Sequence, residues 1–117
     1  MKISLVLPYP PKELSPNFRI HWTKKIKYKD AQRDAGYYEA FKYRGVFGKE
    51  NLKLSLLFIP KTNRRHDCDN ALASEKAGLD GVAKGLGIDD KQFRPIFVDF
   101  GNKDKINPRV EVTISDD

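Results

Sequence analysis

Apolar and polar residues alternate in four places along the chain, and the alternation predicts four strands. Residues 2–7 set Ile3, Leu5 and Leu7 on one side and stop at the Pro8-Tyr9-Pro10-Pro11 breaker. Residues 52–59 repeat the pattern with Leu52, Leu54, Leu56 and Phe58. Two further strands follow, one carrying Ile96, Val98 and Phe100 and the other Val110, Val112 and Ile114. Between them the period changes. From Asp30 to Tyr43 a helix is predicted, with Ala31, Ala35, Tyr38 and Phe41 as its buried face and Gly45 as its stop. Residues 12–27 read as a long, cation-rich loop. A second helix is expected from Asn70 to Leu86, with Gly87 ending it, although Gly78 and Gly81 each weaken it by about 1 kcal/mol relative to Ala. The order β-α-β-α-β-β predicts an α+β fold, one mixed sheet with two helices packed against it.

Composition narrows the class. The 117 residues are expected to form a single domain, 1–117. With 39% hydrophobic and 32% charged residues, the chain is too apolar for a disordered polyelectrolyte. No stretch approaches the ~20 apolar residues of a membrane span. The N-terminus has a short strand pattern in place of a signal-peptide apolar region. Cys68 is the sole cysteine, which excludes an internal disulfide and fits a reducing, cytoplasmic setting.

Charge changes the picture more. The net charge is +6, but it is unevenly placed. Residues 67–90 hold six acids and two bases, leaving 20 bases and 10 acids elsewhere. A basic body attracts polyanions, above all nucleic acid. An acidic island inside it repels the same partner unless a cation lies between.

The island opens with Arg64-Arg65-His66-Asp67-Cys68-Asp69-Asn70. If residues 67–69 are extended, both carboxylates project from one face, about 6–7 Å apart along the strand. Such a pair repels unless a cation is held between its members, and oxygen-only ligands select Mg²⁺ or Mn²⁺. Cys68 then points to the other face, as a small buried hydrophobe. The competing reading is that Asp69 or Asn70 merely caps the following helix. A calcium loop is excluded, because its sixth and twelfth positions need Gly and Glu, where this chain has Leu72 and Gly78. Lys76 falls on the stripe formed by Leu72, Leu79, Ala83 and Leu86, a break in patterning that marks either a snorkelling side chain or a functional one. Asp89-Asp90 follows the helix stop, where the pair lies either beside the helix end or beside residues 67–69.

Cations interleave with aromatics before the first helix. Lys24, Lys25 and Lys27 accompany Trp22 and Tyr28, a mixture suited to phosphate contact and base stacking. Trp22 serves either as a wedge at unstacked bases or as an anchor on the core. Lys61, Arg64 and Arg65 flank the acidic island and are expected to follow a nucleic-acid strand, or else to form a solvated turn.

The run RRHDCDNALASEKAGLDGVAKGLGIDDKQF resembles the RusA family of Holliday-junction resolvases. The likeness rests on arginines before D-x-D-N, a helical lysine, a D-G step and a terminal D-D-x-Q. It extends to the opening strand with its L-P-x-P-P end and to the final R-V-E-V-T-I strand. The resemblance implies a homodimer that binds four-way DNA junctions and nicks two opposed strands with Mg²⁺ or Mn²⁺. It implies catalytic, metal-holding roles for Asp67, Asp69 and Asp90, a supporting role for Asp89, and a catalytic lysine at Lys76. Here Lys76 follows the second aspartate by seven residues, where the short form of the family has four. The alternatives are a non-catalytic branched-DNA-binding module and a phosphodiesterase acting on other nucleic-acid structures.

Overall fold

In the computed structural model, which describes residues 1–62 and 67–117, the predicted element order holds. Strand β1 (Lys2–Pro8) is followed by helix α1 (Trp22–Phe41), strand β2 (Leu52–Ile59) and helix α2 (Cys68–Leu86). Strands β3 (Phe93–Phe100) and β4 (Arg109–Ser115) complete the chain, and short 3₁₀ turns lie at Lys12–Leu14 and Asp90–Gln92. The fold is α+β, as the alternating patterns imply.

The four strands form one sheet in the order β1-β4-β2-β3. β4 runs antiparallel to both β1 and β2, whereas β3 lies parallel to β2 and is reached through α2. The register places Leu5 opposite Val112 and Val112 opposite Leu56, so the predicted apolar faces meet in one layer. Val110, Val112 and Ile114 of the central β4 are almost wholly buried. Both helices cover that face. The other carries Ser4, Thr113, Ser55 and Phe97 in register, a half-polar surface of the kind a mixed sheet leaves to water. β1 and β3 are the edge strands, and Ile96 and Phe97 of β3 remain about half exposed.

The two helices approach each other unusually closely, and glycine is the reason. A β-carbon at Gly36 would fall on the carbonyl oxygen of Gly78, and one at Gly81 on the carbonyl of Arg33. The glycines that weaken α2 as an isolated helix therefore form its contact surface. This corrects the predicted face of α1. Gln32, Gly36 and Ala40 are buried, while Tyr38 and Phe41 point outward, because the backbones touch at the glycine crossings and leave no room there for a bulky ring.

Helix α1 also begins earlier than its sequence pattern indicates. Residues 22–27, expected as loop, form its first turns. His21 caps them, with Nδ1 accepting from the Thr23 N–H at 3.3 Å. These turns lack an apolar stripe, so periodicity gives no sign of them. Helix α2 starts at Cys68 and stops at Gly87, which adopts φ 77° in the left-handed region and donates to the carbonyls of Ala83 and Lys84.

Candidate active site

The acidic island is built around α2. Asp67 is its N-cap, with extended backbone (φ −112°, ψ 118°) and a carboxylate that accepts from the Asp69 N–H at 2.9 Å. The expected extended Asp67-Cys68-Asp69 segment is thus a helix start, and the two carboxylates do not share a strand face. Capping decides it: the orphan amides of the first turn take the nearest carboxylate, which is Asp67 and neither Asp69 nor Asn70. Cys68 is exposed, contrary to its expected burial, and its thiol donates to the Val98 carbonyl at 3.8 Å.

Further along α2, Lys76 and Asp80 follow Asp69 at helical spacing. Asp69, Lys76 and Asp80 line one cleft of about 330 Å³ together with Asp90. Its floor is apolar, made by Leu72, Leu79, Phe93 and Ile96. Lys76 is exposed, so it is the rim of this cleft and not a core residue.

Asp90 reaches the cleft through the turn after α2. Asp89 caps that turn, accepting from the Lys91 N–H at 2.9 Å, while the Gln92 Oε1 accepts from the Asp89 N–H at 3.0 Å. Gln92 Nε2 also donates to the carbonyls of Gly48 and Glu50, which pins the turn to the loop before β2. Of the two placements open to the Asp89-Asp90 pair, the structure adopts the one beside α2: Asp90 meets Asp80. Asp80 is raised above the ordinary carboxylate range by burial, then by the hydrogen bond and charge of Asp90. Asp89 is held low, first by the Lys91 N–H and then by Asp90.

Cations border this cleft. A groove of about 210 Å³ between the helices is lined by Lys29 and Arg33 of α1 and by Lys76, and it shares Asp80 with the acidic cleft. Asp67 lies apart, in a larger cavity with Lys61. Of the expected nucleic-acid contacts, Arg64 and Arg65 lie outside the described residues. Lys24 and Lys27 are exposed on the first turns of α1, whereas Lys25 donates to the Phe18 carbonyl at 3.5 Å. Trp22 is 66% exposed and stacked on His21, so the core-anchor reading does not describe it.

Among the described residues, no three His, Cys, Asp or Glu side chains are grouped closely enough to enclose a metal ion. Mg²⁺ is commonly held by only one or two carboxylates, with waters and substrate phosphate filling the remaining positions. The Asp80–Asp90 pair, with Asp69 on the same cleft, is a donor set of that type.

Two residues that matter here carry little signal in sequence. Asp80 sits four residues beyond Lys76, on the same helical face, and that spacing was its sign. Glu75 is wholly buried, on the stripe Leu72-Glu75-Leu79-Val82-Leu86, whose alternating 3- and 4-residue steps mark the core side of α2. The buried charge-bearing position on this helix is therefore Glu75 and not Lys76.

No family model matches the chain. An uncharacterized protein of Xylella fastidiosa (strain Temecula1) is 42% identical to it over 96 residues, which cover 77% of this chain and 61% of that protein. The chain thus spans about three-fifths of the relative's length. Among the described residues, no helix is long and apolar enough to cross a membrane.

Proposed function

We propose that the protein is a metal-dependent endonuclease that resolves four-way DNA junctions by paired nicks. The observation that carries the reading is the cleft at which Asp69, Lys76, Asp80 and Asp90 meet, with a basic groove sharing its edge. Carboxylates beside lysines and an arginine, on a chain of net charge +6, suit a polyanion drawn to a cation site.

Asp80 and Asp90 would hold the cation, with Asp69 beside them. When bound, Mg²⁺ or Mn²⁺ supplies Lewis acidity and acidifies the attacking water. Lys76 presents its ammonium to the charge that develops on the phosphate. Lys29 and Arg33, side by side in the adjoining groove, hold a phosphate next to the one that is cut. The exposed Trp22 and the lysines around it offer stacking and phosphate contacts to unpaired bases near a crossover. Asp67 contributes by fixing the first turn of α2, and Asp89 by fixing the turn that aims Asp90. An open junction has two-fold symmetry, so a homodimer would bring two equivalent clefts to two equivalent strands.

The test is cleavage of a synthetic four-way junction, a flap and a linear duplex with Mg²⁺ or Mn²⁺. Symmetric nicks in the junction are expected. A lack of metal-dependent cleavage of any substrate with either ion overturns the enzymatic reading. One observation favours a non-catalytic branched-DNA-binding module instead: the Asp67 carboxylate is engaged as a helix cap, away from the other acids. That reading requires junction binding with a steep salt dependence and no turnover.

A further inference from the structure

Among the described residues, a second cavity is larger than the acidic cleft. It has a volume of about 860 Å³ and opens on the other side of the first turn of α2. Tyr9 and Phe100 line it, the two rings that flank the buried Phe58 at 6.0 and 5.5 Å between centroids. Lys12 and Lys61 line it as well, both exposed. Asn70 and Ser74 complete the α2 side. The Ser74 hydroxyl donates to the Asn70 carbonyl at 2.8 Å. Among the described residues, neither the Asn70 carboxamide nor the Tyr9 hydroxyl has a hydrogen-bond partner.

Aromatic rings, a free carboxamide and two ammonium groups make an unusual combination around one cavity. A phosphate alone would use only the lysines. A purely apolar ligand would use only the rings. A nucleotide uses all three: its base lies against Tyr9 or Phe100, the base edge meets the donor and acceptor of Asn70, and its phosphate lies between Lys12 and Lys61. The position matters too. Asp67 lines this cavity and Asp69 lines the acidic cleft, so the two openings flank one helical turn. A single strand crossing that turn presents a phosphate to one opening and a neighbouring base to the other.

From this placement we infer that the cavity is a nucleotide subsite that receives the base next to the phosphate in the acidic cleft. It gives the cleft a preference for particular bases, and in that role it rests on the nuclease reading above.

The experiment uses the full chain with each of the four 2′-deoxynucleoside 5′-monophosphates, with inorganic phosphate, and with a short single-stranded oligonucleotide. Binding is followed by amide NMR shifts. Nucleotide, whether free or within the oligonucleotide, should shift Tyr9, Asn70, Ser74 and Phe100, and inorganic phosphate should shift them much less. Asn70→Ala should weaken nucleotide binding about tenfold, and Tyr9→Leu should do the same, while Tyr9→Phe should retain the stacking share of the affinity. Should Tyr9→Leu fail to fold, Asn70→Ala and Tyr9→Phe still decide the matter. Shifts confined to α1, or equal shifts with inorganic phosphate, overturn the subsite. Cleavage separates the two claims. If Asn70→Ala cuts as fast as the wild type with unchanged base preference, the subsite falls and the nuclease reading stands. If nucleotide binds here but no substrate is ever cut, the nuclease reading falls, and with it the subsite's role in cleavage.

Discussion

Gln32 donates through Nε2 to Oε2 of Glu75 at 3.4 Å, inside the interface between the two helices. The same amide nitrogen lies 3.4 Å from the carbonyl of Pro8, so one side chain of α1 reaches both α2 and the end of β1. Glu75 Oε1 has no partner at all among the described residues. Burial pushes the Glu75 carboxyl up to about 9, and a neutral carboxylic acid is the form the interior can hold.

Stability should therefore fall as pH rises. An acid whose folded pKa is raised keeps its proton in the native state while the unfolded chain has lost it. Between the ordinary glutamate value of 4.5 and about 9, the native state binds the extra proton, and each pH unit costs about 1.4 kcal/mol. At pH 7 the accumulated loss is roughly 3 kcal/mol. Glu75→Gln should flatten this slope and raise the urea midpoint at pH 8 relative to the wild type. Equal slopes in the two proteins between pH 5 and 8.5 would show that Glu75 is already ionised in the fold.

The helix contact predicts a second outcome. Gly81→Ala places a methyl group on the Arg33 carbonyl, and backbone cannot give way as a flexible side chain does. The helices must separate, at a cost of about 1–3 kcal/mol or more. A substitution that raises intrinsic helix propensity should thus lower the unfolding midpoint. Circular dichroism during urea titration reads this directly.

Asp69→Asn and Asp90→Asn should each reduce metal-dependent cleavage by at least about 100-fold while keeping or tightening junction binding, since a negative charge facing phosphate is removed. Parallel gel-shift and cleavage assays measure both quantities. Loss of binding together with activity would assign these aspartates a structural role.

Trp22→Ala should leave stability within about 0.5 kcal/mol, because the ring lies on the surface. Junction affinity should fall about tenfold if the ring stacks on a base. Quenching of its fluorescence on adding a four-way junction, but not a linear duplex, is the matching signal in the wild type.

Strands β1, β2 and β4 were legible because one face of each is buried, and burial forces period-2 alternation; β3 shows the same alternation at an edge where Ile96, Val98 and Phe100 are only partly covered. Ile3, Leu5 and Leu7 in β1 and Val110, Val112 and Ile114 in β4 needed no other information. The face of α1 was not legible, since glycine and alanine make the contact and bulky residues do not. Its first turns were hidden by a run of lysines with no apolar stripe. The acidic residues were visible in sequence, but their roles depended on backbone geometry. Asp67 became a cap because α2 begins one residue later, and Asp90 met Asp80 because Gln92 ties the intervening turn to Gly48 and Glu50.

The central position of β4 has a consequence for how the molecule is made. It is the last strand along the chain, yet it is the strand that joins β1 to β2. Until residues 109–115 are synthesised, β1 has no sheet neighbour, and the β2-α2-β3 unit has an open inner edge. Lys2 must find Ser115 across nearly the full length of the chain, a closure that contact order makes slow. Completion of the sheet thus waits for residues 109–115, and before they emerge both β1 and the inner edge of β2 are apolar and unpaired.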